Sequence, residues 1–204
     1  MTIFTPANLA ALIIASSFAA GLNVYATVLT LGLLARAHGV VLPPGLEILG
    51  SWWVIGVSGV MFALEFVADK IPAFDMVWNA LHTFIRVPVA ALLAYQASQQ
   101  LSPQMQLLAA VSGGLIALVS HGSKTAVRAA ITPSPEPFSN IALSTGEDVV
   151  AVGITWLTTQ HPFVAAAIAA TLILMAILAA RWIVRLLRRM WTRSPGAAIT
   201  PSRS

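Results

Sequence analysis

Long apolar stretches interrupted by very few charges constrain this chain more than any other feature. About six stretches of near-spanning length follow one another in 204 residues, of which 58% are hydrophobic and 9% charged. A helix needs roughly 20 apolar residues to cross a bilayer, and a soluble domain carries about 25% charged residues. So little polar surface cannot cover a globule in water, whereas a bilayer removes the need to. The expected fold is therefore all-α: a polytopic transmembrane helical bundle of about six spans. The first ten residues hold no positive charge and no clear cleavage site. The apolar stretch after them reads as a retained span rather than a signal peptide.

The first candidate span runs from near Asn8 to Arg36, with Gly21 and Asn23 in its middle, and a loop with Pro43 and Pro44 follows. The second runs from near Gly50 to Ala68 behind Trp52 and Trp53, placed as interface aromatics. A tight turn is expected at Asp69 to Asp75. The third runs from near Met76 to Gln96, and Pro88 is expected to loosen it. The fourth starts near Gln104 and continues through HGSKTAVRAAI. A proline-rich loop is expected over Thr132 to Asn140, and it could fold back as a lid. The fifth, from about Gly146 to Thr158, is short, and the sixth runs from Pro162 to Trp182. Arginine clusters near the end, at Arg181, Arg185, Arg188, Arg189, Arg193 and Arg203. By the positive-inside rule this places the C-terminus in the cytoplasm. Counting back through six spans places the N-terminus there too. The chain thus reads as one transmembrane domain over 1–190 with a basic cytoplasmic tail over 191–204. Segments 5–98 and 103–187 are expected as two inverted three-helix repeats. Each opens with a long helix interrupted near its middle, at Gly21 to Asn23 and at Gly122 to Lys124.

Charges inside an apolar chain are costly and tend to face a bundle interior or a wet cavity. Glu65 and Asp69 lie one helical turn apart. Asp75, Asn79, His82 and Arg86 share one helix face, as do His121, Lys124 and Arg128. Arg86 lies ten residues past Met76, roughly 15 Å along the axis. Glu147 and Asp148 fall where carboxylates favour a helix N-terminus. The candidate binding residues for a solute or ion are Asn23, Tyr25, Glu65, Asp69, His82, Arg86, His121, Lys124, Arg128, Asn140, Glu147 and Asp148. Arg86, Lys124 and Arg128 suit an anion or would neutralise the carboxylates. His82 and His121 suit proton relay, and the carboxylates with the histidines suit a hard cation. The bland alternative is a set of edge charges that snorkel or pair for structure; Lys70, Asp75, Glu136 and Arg128 fit it best. His38 and His161 fall in expected loops and read as solvated. No cysteine is present, which excludes disulfides and thiolate metal sites. No phosphate loop, HExxH or GxSxG motif occurs, so neither an enzyme nor a cofactor is expected.

The stretches AAGLNVYATVLTLGLLAR, EFVADKIPAFDMVWNALHTFIRVPVAALLA and HGSKTAVRAAITPSPEPFSNIALSTGEDVVAVGITWL resemble a family of bacterial membrane proteins, the domain of unknown function 4126 (DUF4126). The resemblance implies a helical membrane domain and no settled activity. It supplies no catalytic residue. Its motifs fall on Glu65, Asp69, Lys70, Asp75, His82, Arg86, Lys124, Arg128, Glu136, Asn140, Glu147 and Asp148, nearly all the charges singled out on physical grounds.

The function these features suggest is a small-solute or ion transporter or channel with a polar site between interrupted helices. The alternative is a non-transporting module that binds lipid or a partner protein through Trp182 to Arg193. An intramembrane enzyme using Glu65, Asp69 and His82 ranks third. The expected partners are the lipid bilayer and a small solute or ion, not nucleic acid. A bundle this narrow is compatible with a homodimer.

Overall fold

The computed structural model describes residues 4–37, 39–131 and 137–192. His38, Glu136 and the last twelve residues, with Arg193 and Arg203, lie outside this set. The described residues are helical throughout: α1 (Pro6–Leu22), α2 (Val24–Arg36), a 3-10 helix (Pro44–Gly50), α3 (Trp52–Ala68), α4 (Pro72–Ala97), α5 (Pro103–Ile131), α6 (Pro137–Gln160) and α7 (Pro162–Thr192).

The outer surface is apolar and the interior holds the charges, the reverse of a soluble protein. Phe84 is 81% exposed, while Arg86, two residues further along the same helix, is fully buried. Trp53 is 85% exposed. Val77–Ala97, Pro103–Arg128 and Pro162–Arg185 are each long and apolar enough to cross a membrane. The 3-10 helix and α3, bent by 67° at their junction, form a fourth such stretch if counted together. These helices are compatible with a membrane protein.

At the centre stands α1. Thr5 caps it, its hydroxyl accepting from the Asn8 amide at 3.2 Å, and Pro6 occupies the first turn. It is apolar all round, and 12 of its 17 residues are buried. A helix without a polar face belongs inside a bundle, and α4, α5, α6 and α7 surround this one. Small residues let them close in. A Cβ on Gly21 would stand 2.5 Å from the Ala117 carbonyl oxygen and 2.7 Å from Ser120 Cβ. The Ser120 hydroxyl donates to the Phe18 carbonyl at 2.8 Å at the same crossing.

The break expected near Gly21 to Asn23 falls at Asn23, which is extended (φ −150°, ψ 104°). Its side-chain oxygen accepts from the Ala26 amide at 2.9 Å and caps α2. Beyond it the chain turns back rather than running on. Leu12 and Ile13 from the first half of α1 pack with Leu31 of α2 and with Leu42 and Leu46 after it. Both outer ends of this V therefore lie at one end of the bundle. Ala97 of α4 joins them, and Gln100 donates to the Phe4 carbonyl there. Arg36 at the end of α2 stacks over Trp52 at the start of α3, 4.4 Å from the ring centroid. From that end α3, α5 and α7 run toward the level of Asn23, and α4 and α6 run back.

Several expectations change accordingly. The stretch from Asn8 to Arg36 is two helices of 17 and 13 residues, not one interrupted span. The described chain therefore enters at one end and leaves α7 at the other. Segments 5–98 and 103–187 both begin at the same end. In α5 the helix passes through Gly122 to Lys124 unbroken; a Cβ on Gly122 would meet nothing within 4 Å, so that glycine faces outward and leaves the backbone ladder intact. The turn expected over Asp69 to Asp75 ends at Ile71, because Pro72 opens α4. Pro88 lies inside α4 without ending it. The loop expected to reach Asn140 is already helical from Pro137; proline suits a first helical turn, where its missing N–H is no loss. Residues 132–136 of that loop lie outside the described set.

The crossing at Gly21 gives a direct test of this packing. Gly21→Leu is expected to cost at least about 1–3 kcal/mol through overpacking, read as a lower melting temperature in detergent. Gly122→Leu, on the open face, is expected to leave the melting temperature within a degree or two.

Candidate functional site

Four helices, α3 to α6, deliver polar groups to the level of Asn23. Helix α3 brings Glu65 in its last turn and Asp69 as its C-cap. Helix α4 brings Asn79, His82, Thr83 and Arg86, and α5 brings His121, Lys124 and Arg128. Helix α6 brings Glu147 and Asp148. Asn23, Glu65, Asp69 and Arg86 are fully buried, and His82, His121, Lys124, Arg128 and Asp148 are at most 5% exposed.

These charges answer one another. Arg86 donates to Glu65 through Nη2. Lys124 Nζ lies 3.1 Å from Asp69 Oδ2, 3.3 Å from Glu147 Oε2 and 3.8 Å from Glu65 Oε1. Arg128 Nη2 donates to Asp69 Oδ2 at 2.9 Å, and its Nε donates to Glu147 Oε2 at 3.1 Å. Burial works against a charged Asp69. Lys124 and Arg128 beside it nevertheless hold its carboxyl below the ordinary carboxylate range.

The break at Asn23 is built into this network. Lys124 Nζ donates to the Leu22 carbonyl, freed at the C-terminus of α1, at 3.2 Å. A cation at a helix C-terminus and an anion at an N-terminus both favour the helix dipole. Here the two ends meet at one residue, and the carboxyl group at the second is that of Asp148. Its Oδ1 accepts from Asn23 Nδ2 at 2.8 Å, at the start of α2.

The two histidines hold different positions. His121 Nδ1 stands 2.7 Å from Arg86 Nη1. Arginine only donates, so this nitrogen presents a lone pair and His121 is neutral. Its Nε2 then carries the proton and donates to Thr83 Oγ1 at 2.7 Å; the Thr83 hydroxyl passes its own hydrogen to the Asn79 carbonyl at 3.2 Å. His82 donates from Nδ1 to the Trp78 carbonyl at 2.8 Å and stacks on the Trp78 ring, with centroids 4.3 Å apart. Tyr25, half-buried at the start of α2, meets the His82 ring edge-on at 5.7 Å.

Eleven of the twelve candidate residues thus gather at one level of the bundle. The twelfth, Asn140, lies on α6 with its side chain outside the described set, as does that of Asp75 on α4. Two members escaped the candidate set. Asn79 accepts from Arg86 at 3.2 Å, and its place on the Arg86 face was the signal for it. Thr83 carried no such signal, since an isolated threonine on an apolar helix usually bonds its own backbone. The hard-cation arrangement is not formed: among the described residues no three His, Asp or Glu side chains are placed to hold a metal ion. Lys70 sits at the rim, where its ammonium donates to the Phe66 carbonyl at 2.9 Å.

Partners do not reach every buried polar atom. Among the described residues Glu65 Oε2, His82 Nε2, Arg86 Nε and Asp148 Oδ2 are buried without a hydrogen-bond partner. Such atoms are uncommon and call for a specific explanation.

The sequence profile described as Domain of unknown function (DUF4126) matches residues 10–182. The chain belongs to this family. The matched residues take in α2 to α6 and every residue of the network. No curated protein and no solved structure matches the chain.

Removing one partner from a buried ion pair strands the other charge and costs about 3–5 kcal/mol. Arg86→Met is therefore expected to lower the melting temperature sharply. The double variant Glu65→Leu/Arg86→Met is expected to recover most of the loss, because no charge is left stranded. A double variant no more stable than Arg86→Met would show that Glu65 and Arg86 are not coupled.

Proposed function

We propose that this DUF4126 chain is a small-solute or ion transporter or channel of the bacterial inner membrane, with its polar site at the Asn23 level between the helices. The carrying observation is the V of α1 and α2, whose tip is seated on a buried charge network that leaves polar atoms of Glu65, His82 and Arg86 without protein partners. Transport sites are built in this way, from helix ends that meet near charged side chains inside the bundle. Charges confined to the bundle interior mark ion and substrate pathways more often than lipid-facing structure. The basic end of α7, with Arg181 and Arg185 exposed, supports a cytoplasmic location for the network end. An inverted relation is retained in one form: α2–α4 and α5–α7 run in opposite senses.

The second reading is a non-transporting module that binds anionic lipid or a partner. It is favoured by Trp182 and Arg185, both exposed near the end of α7. Proteoliposomes separate the two. The transport reading expects flux of protons, Na+ or a small anion above that of empty vesicles. It expects Glu65→Gln to lower that flux at least about tenfold, and a chain ending at Val184 to retain it. Flux equal to that of empty vesicles, with lipid or partner binding lost on that truncation, would reverse the choice.

A further inference from the structure

We infer that Asp148 is the proton-binding residue of the network, carrying a proton on Oδ2 in the arrangement described and releasing it when the site rearranges. The first argument is charge pairing. Among the described side chains at this level are four carboxylates, Glu65, Asp69, Glu147 and Asp148, and three cations, Arg86, Lys124 and Arg128. Arg86 and Lys124 answer Glu65, while Lys124 and Arg128 answer Asp69 and Glu147. Asp148 is left over: among the described residues no cation lies within 4 Å of it. A buried carboxylate without a cation is too costly to stay charged, and such a group neutralises by taking a proton.

The hydrogen bonds point the same way. The Asn23 amide is fixed in orientation, because its oxygen accepts from the Ala26 amide. Its nitrogen therefore faces Asp148 Oδ1, at 2.8 Å. That assigns Oδ1 as the carbonyl oxygen of a neutral acid and leaves Oδ2 to carry the hydrogen. Oδ2 is the atom without a partner, on a residue 5% exposed. A charged Asp148 would need more donors than one amide supplies.

The groups that face Asp148 are Lys124 from α5, Glu65 from the last turn of α3, Asp69 and Lys70 from the turn after it, and Asn23 between α1 and α2. Glu147 adjoins it on α6. Helix α1 contributes no charge, and the only charge on α2 is Arg36, at its far end. When the carboxyl O–H bond breaks, the proton passes to water. The carboxylate left behind is then answered by Lys124 or Lys70, which requires either to shift from its present partner. Where Lys124 does so, protonation of Asp148 is tied to the pairing of Asp69 and Glu147. That the proton drives transport rests on the transport reading above; that Asp148 holds it does not.

Infrared difference spectroscopy of the purified protein in lipid tests the assignment. The carbonyl stretch of a protonated, buried carboxylic acid is expected at neutral pH and lost on alkalinisation. It is expected to be absent in Asp148→Asn and unchanged in Glu65→Gln. Asp148→Asn is expected to melt close to the parent, since an amide mimics a neutral acid, whereas Asp69→Asn melts well below it. The inference is overturned if no such band appears at any pH, if the band survives in Asp148→Asn, or if Na+ at fixed pH abolishes it, which would make Asp148 a cation ligand. In proteoliposomes, proton movement is expected to fall at least tenfold in Asp148→Asn. A band that behaves as stated in a protein without flux would overturn the transport reading and leave the proton assignment standing.

Discussion

A charge in a low-dielectric interior has to be answered by an opposite charge, a dipole or a proton, and the arrangement of this bundle follows from that requirement. Arg86 is fully buried on a helix whose other face carries Phe84 outward. Its guanidinium can stay there only because Glu65 from α3 and the lone pair of His121 from α5 meet it. Lys124 and Arg128 impose the same condition on Asp69 and Glu147. The pairs cross between helices, so they set the register of α3, α4, α5 and α6 along the bundle axis. Apolar packing alone would leave that register loose, because lipid tails are as apolar as leucine and give helices little reason to prefer one another.

Asn23 joins this network to the apolar core. Helix α1 is enclosed by four neighbours and has no polar face, so it can end inside the bundle only where its freed carbonyls find donors. Lys124 supplies one at Leu22. Asn23 supplies the cap that restarts the chain as α2 and the amide that reaches Asp148. One residue thus satisfies a helix end, begins the next helix and contacts the acid that no cation reaches. The dipole of α1 favours the charge it faces, Lys124, and the start of α2 faces the Asp148 carboxyl.

Much of the site was legible in the sequence. The spacings of Asn79, His82 and Arg86, and of His121, Lys124 and Arg128, place each set on one helix face, and those faces meet. Asn23 was legible as a break, because asparagine inside an apolar helix offers the backbone an alternative partner. The direction taken after the break was not. A cap residue shows that a helix restarts, while the angle depends on where α2 finds its packing, against α3 and the 3-10 helix. Gly122 misled for the opposite reason: an outward glycine weakens a helix by about 1 kcal/mol without breaking it. The proline at 137 read as loop and proved to be a helix start, a position where proline loses nothing.

The central claim is that the buried network exchanges with water as a site does, and is not a sealed structural knot. Ser144 is fully buried one helical turn before Asp148 on α6, and the chain has no cysteine of its own. Labelling of Ser144→Cys by a small, membrane-impermeant thiol reagent in sealed vesicles tests the claim most directly, with Ala15→Cys in the apolar core of α1 as the reference. The account predicts that Ser144→Cys reacts at least tenfold faster than Ala15→Cys. Equal, negligible labelling of both would contradict it and leave the charges a purely structural role.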